Sequence, residues 1–182
     1  MKSVTYSNGA LYEGQVNPMN QRHGKGILTF PNDQAVYDGF FDEGRMTDGR
    51  ISYPKAESEC WFEGSFTNDQ WNKGKYKKGP ALYEGTFDNQ RMNGYFTVEW
   101  AGGIRYEGLI RENKLHGDGE MSFKDGNIAQ IQGVWADDTL QKSSLLVMRD
   151  GSTATNYDPS KGKLVGSGVV KVGQSTYTGK WD

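Results

Sequence analysis

A tripeptide made of an aromatic residue, an acidic or polar residue and glycine recurs along the chain. Its copies, the later ones weaker, are Tyr12-Glu13-Gly14, Tyr37-Asp38-Gly39, Phe62-Glu63-Gly64, Tyr83-Glu84-Gly85, Tyr106-Glu107-Gly108, Ile131-Gln132-Gly133, Tyr157-Asp158-Pro159 and Tyr177-Thr178-Gly179. The first six glycines are 25, 25, 21, 23 and 25 residues apart. A regular period of about 24 residues indicates a repeat protein, in which each copy is one supersecondary unit that stacks on the next.

Each repeat contains two segments in which apolar side chains alternate with polar ones. The first segment surrounds the recurrent glycine, as in Tyr37-x-Gly39-x-Phe41, and the second follows a glycine pair, as in Gly117-x-Gly119-x-Met121-x-Phe123. A period of two predicts β-strands that send these residues to one face of a sheet. Polar turn segments separate the two strands, so the predicted unit is a β-hairpin. The repeated glycine leaves room for a neighbouring aromatic ring to lie across the backbone.

The amino-acid composition of the chain argues against some classes of function. The chain has 182 residues, a net charge of −2, 35% hydrophobic residues, 25 glycines and 13% aromatic residues. This balance of charge gives no electrostatic reason to expect a nucleic-acid partner, and no apolar run approaches the roughly 20 residues of a membrane-spanning helix. With Cys60 as its one cysteine and no Asn-x-Ser/Thr sequon, the chain is expected to be cytoplasmic.

The sequence argues against an enzyme. His23 and His116 each precede the glycine pair of a second strand, and other repeats place Asp48, Lys73 and Asn93 in that position. A catalytic or metal-binding role needs a fixed chemical type, so these histidines are interpreted as residues of a strand start. We expect no catalytic residues, no metal site and no cofactor.

Repeats such as "YEGTFDNQRMNGYFTVEWAGGIR" and "YEGLIRENKLHGDGEMSFKDGN" resemble MORN repeats (membrane occupation and recognition nexus). The resemblance implies an all-β fold, an elongated single-layer antiparallel sheet of consecutive β-hairpins that forms one array over residues 1–182. Regular repeats are expected at 12–126 and degenerate ones at 127–182, where Pro159 replaces the glycine and Thr178 replaces the acidic residue. Members of this family act as scaffolds and partner-binding modules.

The resemblance and the pattern together predict a scaffold or adaptor in a cytoskeletal or membrane-associated assembly. A single-layer sheet has no second layer to cover its apolar face, and a large open apolar face is typical of a binding surface. We therefore expect an elongated protein partner to bind the aromatic face. The predicted contact residues are Tyr37, Phe41, Phe62, Phe66, Tyr83, Phe87, Trp100 and Tyr106.

Two alternatives remain open at this point. The family name and a basic run suggest a module that binds anionic phospholipids through Lys73, Lys75, Lys77 and Lys78. In a strand, the first three of these lysines point to one side and the fourth to the other, which favours a solvated surface and weak membrane binding or none. The chain is also compatible with a regulatory or targeting segment of a larger enzyme.

Partial repeats are expected at both ends, with a second strand at 1–6 and a first strand at 177–182. Unpaired strand edges recruit other chains. Tyr177 and Trp181 are expected to share a face of the last strand, so this edge is predicted to be the site of homo-oligomerisation.

Overall fold

In a computed structural model, the structure describes residues 1–31, 35–158, 163–164 and 166–181, with the backbone alone for 163–164, 166–167 and 181. These residues form β-strands and turns and no helix, so the predicted all-β antiparallel fold of consecutive hairpins is confirmed. Contacts group the chain into two units, Met1–Arg91 and Met92–Asp182. Each unit is built from antiparallel strands.

The first unit contains eight described strands, each antiparallel to the next along the chain. They are β1 (Lys2–Thr5), β2 (Leu11–Val16), β3 (Arg22–Thr29), β4 (Val36–Asp42), β5 (Arg45–Ser52), β6 (Cys60–Thr67), β7 (Gln70–Lys78) and β8 (Ala81–Asp88). The recurrent tripeptide lies on β2, β4, β6 and β8, and the glycine-containing second segment lies on β3, β5 and β7. The two predicted segments of each repeat are therefore neighbouring strands.

The second unit continues the pattern and then departs from it. Its strands are β9 (Arg91–Trp100, which starts on the last residue of the first unit), β10 (Ile104–Arg111), β11 (Lys114–Phe123), β12 (Ile128–Ala136), β13 (Thr139–Met148), β14 (Thr153–Ala154), β15 (Tyr157–Asp158), β16 (Lys163–Leu164), β17 (Gly166–Val172) and β18 (Ser175–Trp181). Strand β14 pairs with β13 and with β17, whereas β15 and β16 form a separate two-stranded ladder. Pro159 lies outside the described residues.

Two-residue turns close five of the described hairpins, whereas residues 17–21 connect β2 and β3. Both turn residues have positive φ at Glu43-Gly44, Asn68-Asp69, Asn89-Gln90, Glu112-Asn113 and Asp137-Asp138. This is the geometry of a type I′ turn, whose twist matches that of the flanking strands. At three of the turns, the second residue is Asp or Asn, and its side chain accepts a hydrogen bond from a backbone amide of the preceding hairpin. These bonds are Met46 N to Asp69 Oδ1, Met92 N to Asn113 Oδ1 and Leu115 N to Asp138 Oδ1, each 2.8 Å long.

Candidate protein-binding surface

The rings predicted to form an open apolar face are mostly buried. Six of the eight side chains, those of Tyr37, Phe41, Phe62, Phe66, Phe87 and Tyr106, are between 0 and 6% exposed. Tyr83 and Trp100 are half-buried. The expectation of an open aromatic face is therefore corrected by the structure, although the sheet in each unit is a single layer. The role of these eight residues in partner binding stays a prediction.

Packing between successive repeats explains this burial. The ring of Tyr37 contacts that of Phe66 in the next repeat, edge to face, with centroids 5.1 Å apart. The pairs Tyr12–Phe41, Phe62–Phe87 and Tyr106–Trp135 repeat the arrangement at 5.3, 5.3 and 5.8 Å. Edge-to-face pairs stabilise a fold by about 0.5–1.5 kcal/mol beyond the burial of their area. These rings hold each hairpin to its neighbour.

Glycines form the floor beneath the tyrosine rings, as the sequence predicted. Gly108 and Gly119 are register partners on β10 and β11, and a Cβ added to Gly108 would lie 2.5 Å from the Tyr106 hydroxyl oxygen. The same hydroxyl donates a hydrogen bond of 2.9 Å to the Leu109 carbonyl, which lies at a β-bulge. Tyr37 donates in the same way to the Phe40 carbonyl at 2.9 Å. Burial raises the pKa of both tyrosines to about 12.

The face on the other side of the sheet, the opposite face, carries a row of alternating charges in the first unit. Register partners place one residue of each strand from β4 to β8 in this row, in the order Asp38, Arg50, Glu63, Lys75 and Glu84. Arg50 Nη1 lies 3.6 Å from Glu63 Oε2, and Lys75 Nζ lies 3.4 Å from Glu84 Oε2. Opposite charges on neighbouring strands stabilise a sheet by about 0.2–1 kcal/mol per pair.

A shallow trough runs beside this row in the first unit. Its floor contains Gly39, Gly49 and Gly64. The remaining lining residues are Asp38, Arg50 and Glu63 from the charged row, and Lys25, Phe40 and Asp48. Phe40 is 54% exposed and has Lys25 as its register partner on β3. The trough therefore combines one exposed aromatic ring with charges of both signs.

The second unit contains an equivalent trough, which has more exposed apolar residues near it than the first trough has. Its floor contains Gly108, Gly119 and Gly133, which are register partners on three successive strands. The other lining residues are Tyr95, Glu107, Asp118, Glu120, Gln132 and Ser144. Tyr95 is 63% exposed and is the register partner of Leu109, which is 42% exposed. Val134, at 43% exposure, is the register partner of Asp118.

The sequence analysis did not predict these exposed apolar residues, although three of them occupy a recognisable position in the repeat. Phe40, Leu109 and Val134 each follow directly the recurrent glycine, whereas Gln15, Ser65 and Thr86 hold that position in other repeats. An apolar residue at this position interrupts the alternation of polar and apolar residues. It therefore places an apolar side chain on the opposite face.

The lysines of the alternative lipid site lie on β7. Lys73, Lys75 and Lys77 share the opposite face, as their spacing predicted, and Lys73, Lys75 and Lys78 are exposed. Lys75 is the register partner of both Glu63 and Glu84, and it forms an ion pair with the latter. The basic run is therefore partly neutralised by the acidic residues of the neighbouring strands.

The two histidines and the cysteine lie apart from these troughs. His23 Nδ1 is 3.3 Å from Asp42 Oδ1, and both side chains are more than half exposed. Cys60 Sγ is 3.9 Å from the Tyr76 hydroxyl oxygen. Burial is the main cause that raises the pKa of Tyr76. Within the described residues, no group of three or more His, Cys, Asp or Glu side chains is arranged to hold a metal ion.

The predicted self-association edge lies on β18. Tyr177 is 59% exposed and pairs with Val170 on β17. The backbone of Trp181 pairs with Gly166, and its side chain lies outside the described residues. Homo-oligomerisation through this strand stays a prediction.

In comparisons with known proteins, no family model matches the chain and no curated protein matches it. The resemblance to MORN repeats therefore stays a prediction. The described part of the chain contains no helix of the length and apolar character needed to cross a membrane.

Proposed function

We propose that this chain is a non-catalytic scaffold or adaptor that binds a protein partner on the opposite face of its sheet. The observation that carries the proposal is the exposure of Tyr95, which lines the second trough, and of Leu109 and Val134, which are register partners of the lining residues Tyr95 and Asp118; the three are 63, 42 and 43% exposed. Single apolar residues on a surface are common, but a contiguous exposed patch is typical of an interaction site. Tyr95 and Leu109 are adjacent as register partners.

The arrangement of the troughs also supports a protein partner. Both troughs have a floor of glycine backbone. Phe40 lines the first trough, and Leu109 is the register partner of Tyr95, which lines the second. Aromatic residues are enriched at protein interfaces. In contrast, the six buried rings of the aromatic face already contact other residues, so a partner reaches them only if the sheet rearranges.

Photocrosslinking tests this proposal. The residue p-benzoylphenylalanine is placed at Tyr95 or at Phe40 in the intact chain, and at Met19 as a control, because Met19 is 81% exposed in a turn. We expect covalent capture of the same partner from the two trough positions and not from position 19. Leu109→Ser should reduce the capture at position 95, since it removes apolar contact area. Equal capture at all three positions, or none at the troughs, would contradict the proposal.

A second candidate function is the binding of anionic phospholipid by β7. The shared orientation and exposure of Lys73 and Lys75 favour it, because each basic residue near an anionic membrane contributes about 1 kcal/mol. The ion pair between Lys75 and Glu84 opposes it. We therefore expect such binding to be weaker than binding of the protein partner.

A further inference from the structure

The two troughs have the same architecture and different charges. The first is lined by the bases Lys25 and Arg50 together with three acidic residues. The second is lined by Glu107, Asp118 and Glu120 and by no basic residue within the described part of the chain. The protein as a whole is almost neutral, with a net charge of −2. The negative charge at the second trough is therefore a local feature.

The second unit does not repeat the charge alternation of the first. Glu107 and Glu120 are direct register partners on β10 and β11, at the repeat positions that carry opposite charges in the first unit. Like charges directly opposite each other destabilise a sheet. Arg105 forms an ion pair with Glu107 and also with Glu99, at 3.6 Å from the latter. The sequence thus places two carboxylates together where a lysine or arginine at position 120 would continue the alternation.

The negative charge of Glu120 is not compensated, because its hydrogen-bond partner is a neutral side chain. Gln132 Nε2 donates a hydrogen bond of 3.0 Å to Glu120 Oε2. Among the ion pairs of the described residues, none includes Glu120 or Asp118. A hydrogen bond from a neutral amide orients the carboxylate without removing its charge. A cationic group that enters the trough would have Glu107, Asp118 and Glu120 around it.

We propose that the trough of the second unit binds an extended protein segment that carries a basic side chain and, two residues away in the segment, apolar side chains. This inference rests on the proposed function and specifies the partner. The basic side chain lies between the carboxylates of Glu107 and Glu120, and the apolar side chains on the same side of the segment contact Tyr95 and Leu109. Charge complementarity of this kind gives an interface its specificity and accelerates association. Binding of the cation removes the repulsion between the two carboxylates, which the free protein retains.

The test uses labelled peptides and the intact chain. The probe is a decapeptide in which arginine and leucine occupy every second position in turn, with serine between them, so that both share one side of the extended peptide. The same peptide with glutamine in place of arginine is the neutral comparison. We expect the basic peptide to bind more tightly by about tenfold, which corresponds to about 1.4 kcal/mol. The preference should decrease in higher salt, because the screening length shrinks from about 10 Å at 0.1 M to about 3 Å at 1 M. Fluorescence anisotropy measures both effects.

A charge reversal separates this role from a structural one. Glu120→Lys restores alternating charges, so the variant should be at least as stable as the parent while it loses the preference for the basic peptide. Asp118→Asn combined with Glu120→Gln should also lose the preference. Asp48→Asn combined with Glu63→Gln is the control, since it removes two negative charges from the lining of the first trough, and Asp48 holds the position that Asp118 holds in the second. The control should keep the preference.

Each other outcome overturns the inference in a recognisable way. Retained preference in Glu120→Lys would show that the basic peptide binds at another site, and equal loss in the control would show that it responds to overall charge. Equal binding of both peptides, reduced by Leu109→Ser, would leave an apolar docking site without charge selection, so the proposed function would stand and this inference would fail. Binding of neither peptide would also reject the inference, while photocrosslinking would still decide the proposed function.

Discussion

Asn113 and Met92 are hydrogen-bonded in both directions. The Met92 amide donates to Asn113 Oδ1 at 2.8 Å, and the Asn113 amide donates to the Met92 carbonyl at 3.2 Å. Leu115 and Asp138 form the same pair of bonds, at 2.8 and 3.2 Å. The turn of one hairpin is thereby attached to the start of a strand in the preceding hairpin. We call this pair of bonds the turn clamp.

The first prediction concerns the strength of the turn clamp. Asn113→Gly keeps a residue that tolerates positive φ and removes the side-chain acceptor, so it should lower the free energy of unfolding by about 1–2 kcal/mol. Gln90→Gly is the matched control, because Gln90 holds the same turn position with positive φ. Its side chain makes only a long contact, with Nε2 3.4 Å from Gln70 Oε1. Urea unfolding at neutral pH measures both variants. An equal loss in the control would mean that the clamp contributes nothing.

The second prediction adds the side-chain bond of the clamp at the Asn89-Gln90 turn, which is one of the turns that lack it. Where the bond forms, the side chain of Asp or Asn at the second turn position accepts a hydrogen bond from the backbone amide two residues after the preceding turn. By this rule, a side chain at position 90 would accept a hydrogen bond from the Trp71 amide. Gln90→Asn should raise the free energy of unfolding by about 1 kcal/mol, since Asn also tolerates positive φ better than Gln. The midpoint of thermal unfolding reports the change. A lower midpoint would show that the spacing at this turn does not admit the bond.

The third prediction concerns alkaline pH. Burial raises the pKa of Tyr37 to about 12 from the ordinary value of 10.0, so the unfolded chain loses this proton first. The contribution of this tyrosine to stability is therefore fully present below pH 10 and is lost as pH rises from 10 towards 12, by at most about 1.4 kcal/mol per pH unit for each such tyrosine. Urea unfolding at a series of pH values above 9 should show this decrease.

Tyr37→Phe is the control for that prediction. The substitution removes the hydrogen bonds to the carbonyls of Phe40 and Asp48, at 2.9 and 3.0 Å, and should cost about 1–2 kcal/mol at neutral pH. It should also make the alkaline decrease less steep, since one titrating group is lost. An unchanged slope would assign the decrease to other groups, with Tyr106 as the next candidate because its pKa is also raised to about 12.

The fourth prediction concerns the glycine floor. Gly108→Ala should destabilise the protein by about 2–3 kcal/mol, because the added methyl group would lie 2.5 Å from both the Gly119 Cα and the Tyr106 hydroxyl oxygen. The backbone of β11 cannot yield as a flexible side chain would. Gly126→Ala meets no atom within 4 Å, so it should cost only about 1 kcal/mol from its positive φ. Equal costs would show that β10 and β11 separate easily.

The fifth prediction concerns the alternative lipid function. Vesicles with anionic lipid should recruit the protein weakly or not at all, because Lys75 is already paired with Glu84. Replacing Lys73, Lys75, Lys77 and Lys78 by Gln should leave capture of the protein partner unchanged. Vesicle sedimentation in low and raised salt measures the recruitment. Micromolar, salt-sensitive binding that disappears in the variant would favour the lipid function instead.

Much of the fold could be predicted from the sequence, for a local reason. Alternation of side chains around Gly39 and Gly108 fixes which residues share a face, and it does so within a few residues of the chain. The roles of the glycines also followed, since a ring can lie across a strand only where Cβ is missing. Pairing of successive hairpins then required only short turns with residues that accept positive φ, such as Asn113.

The candidate site depended on contacts between strands, which the alternation along one strand does not specify. The rings of Tyr37 and Phe66 belong to successive repeats, and their edge-to-face contact buries the face expected to be open. The charges of Glu107 and Glu120 become neighbours only through the register of β10 and β11. The sequence by itself determined strands, turns and faces, because these follow from local alternation and backbone sterics. Only the tertiary structure decided which face remains accessible, because accessibility depends on packing between residues far apart in the chain.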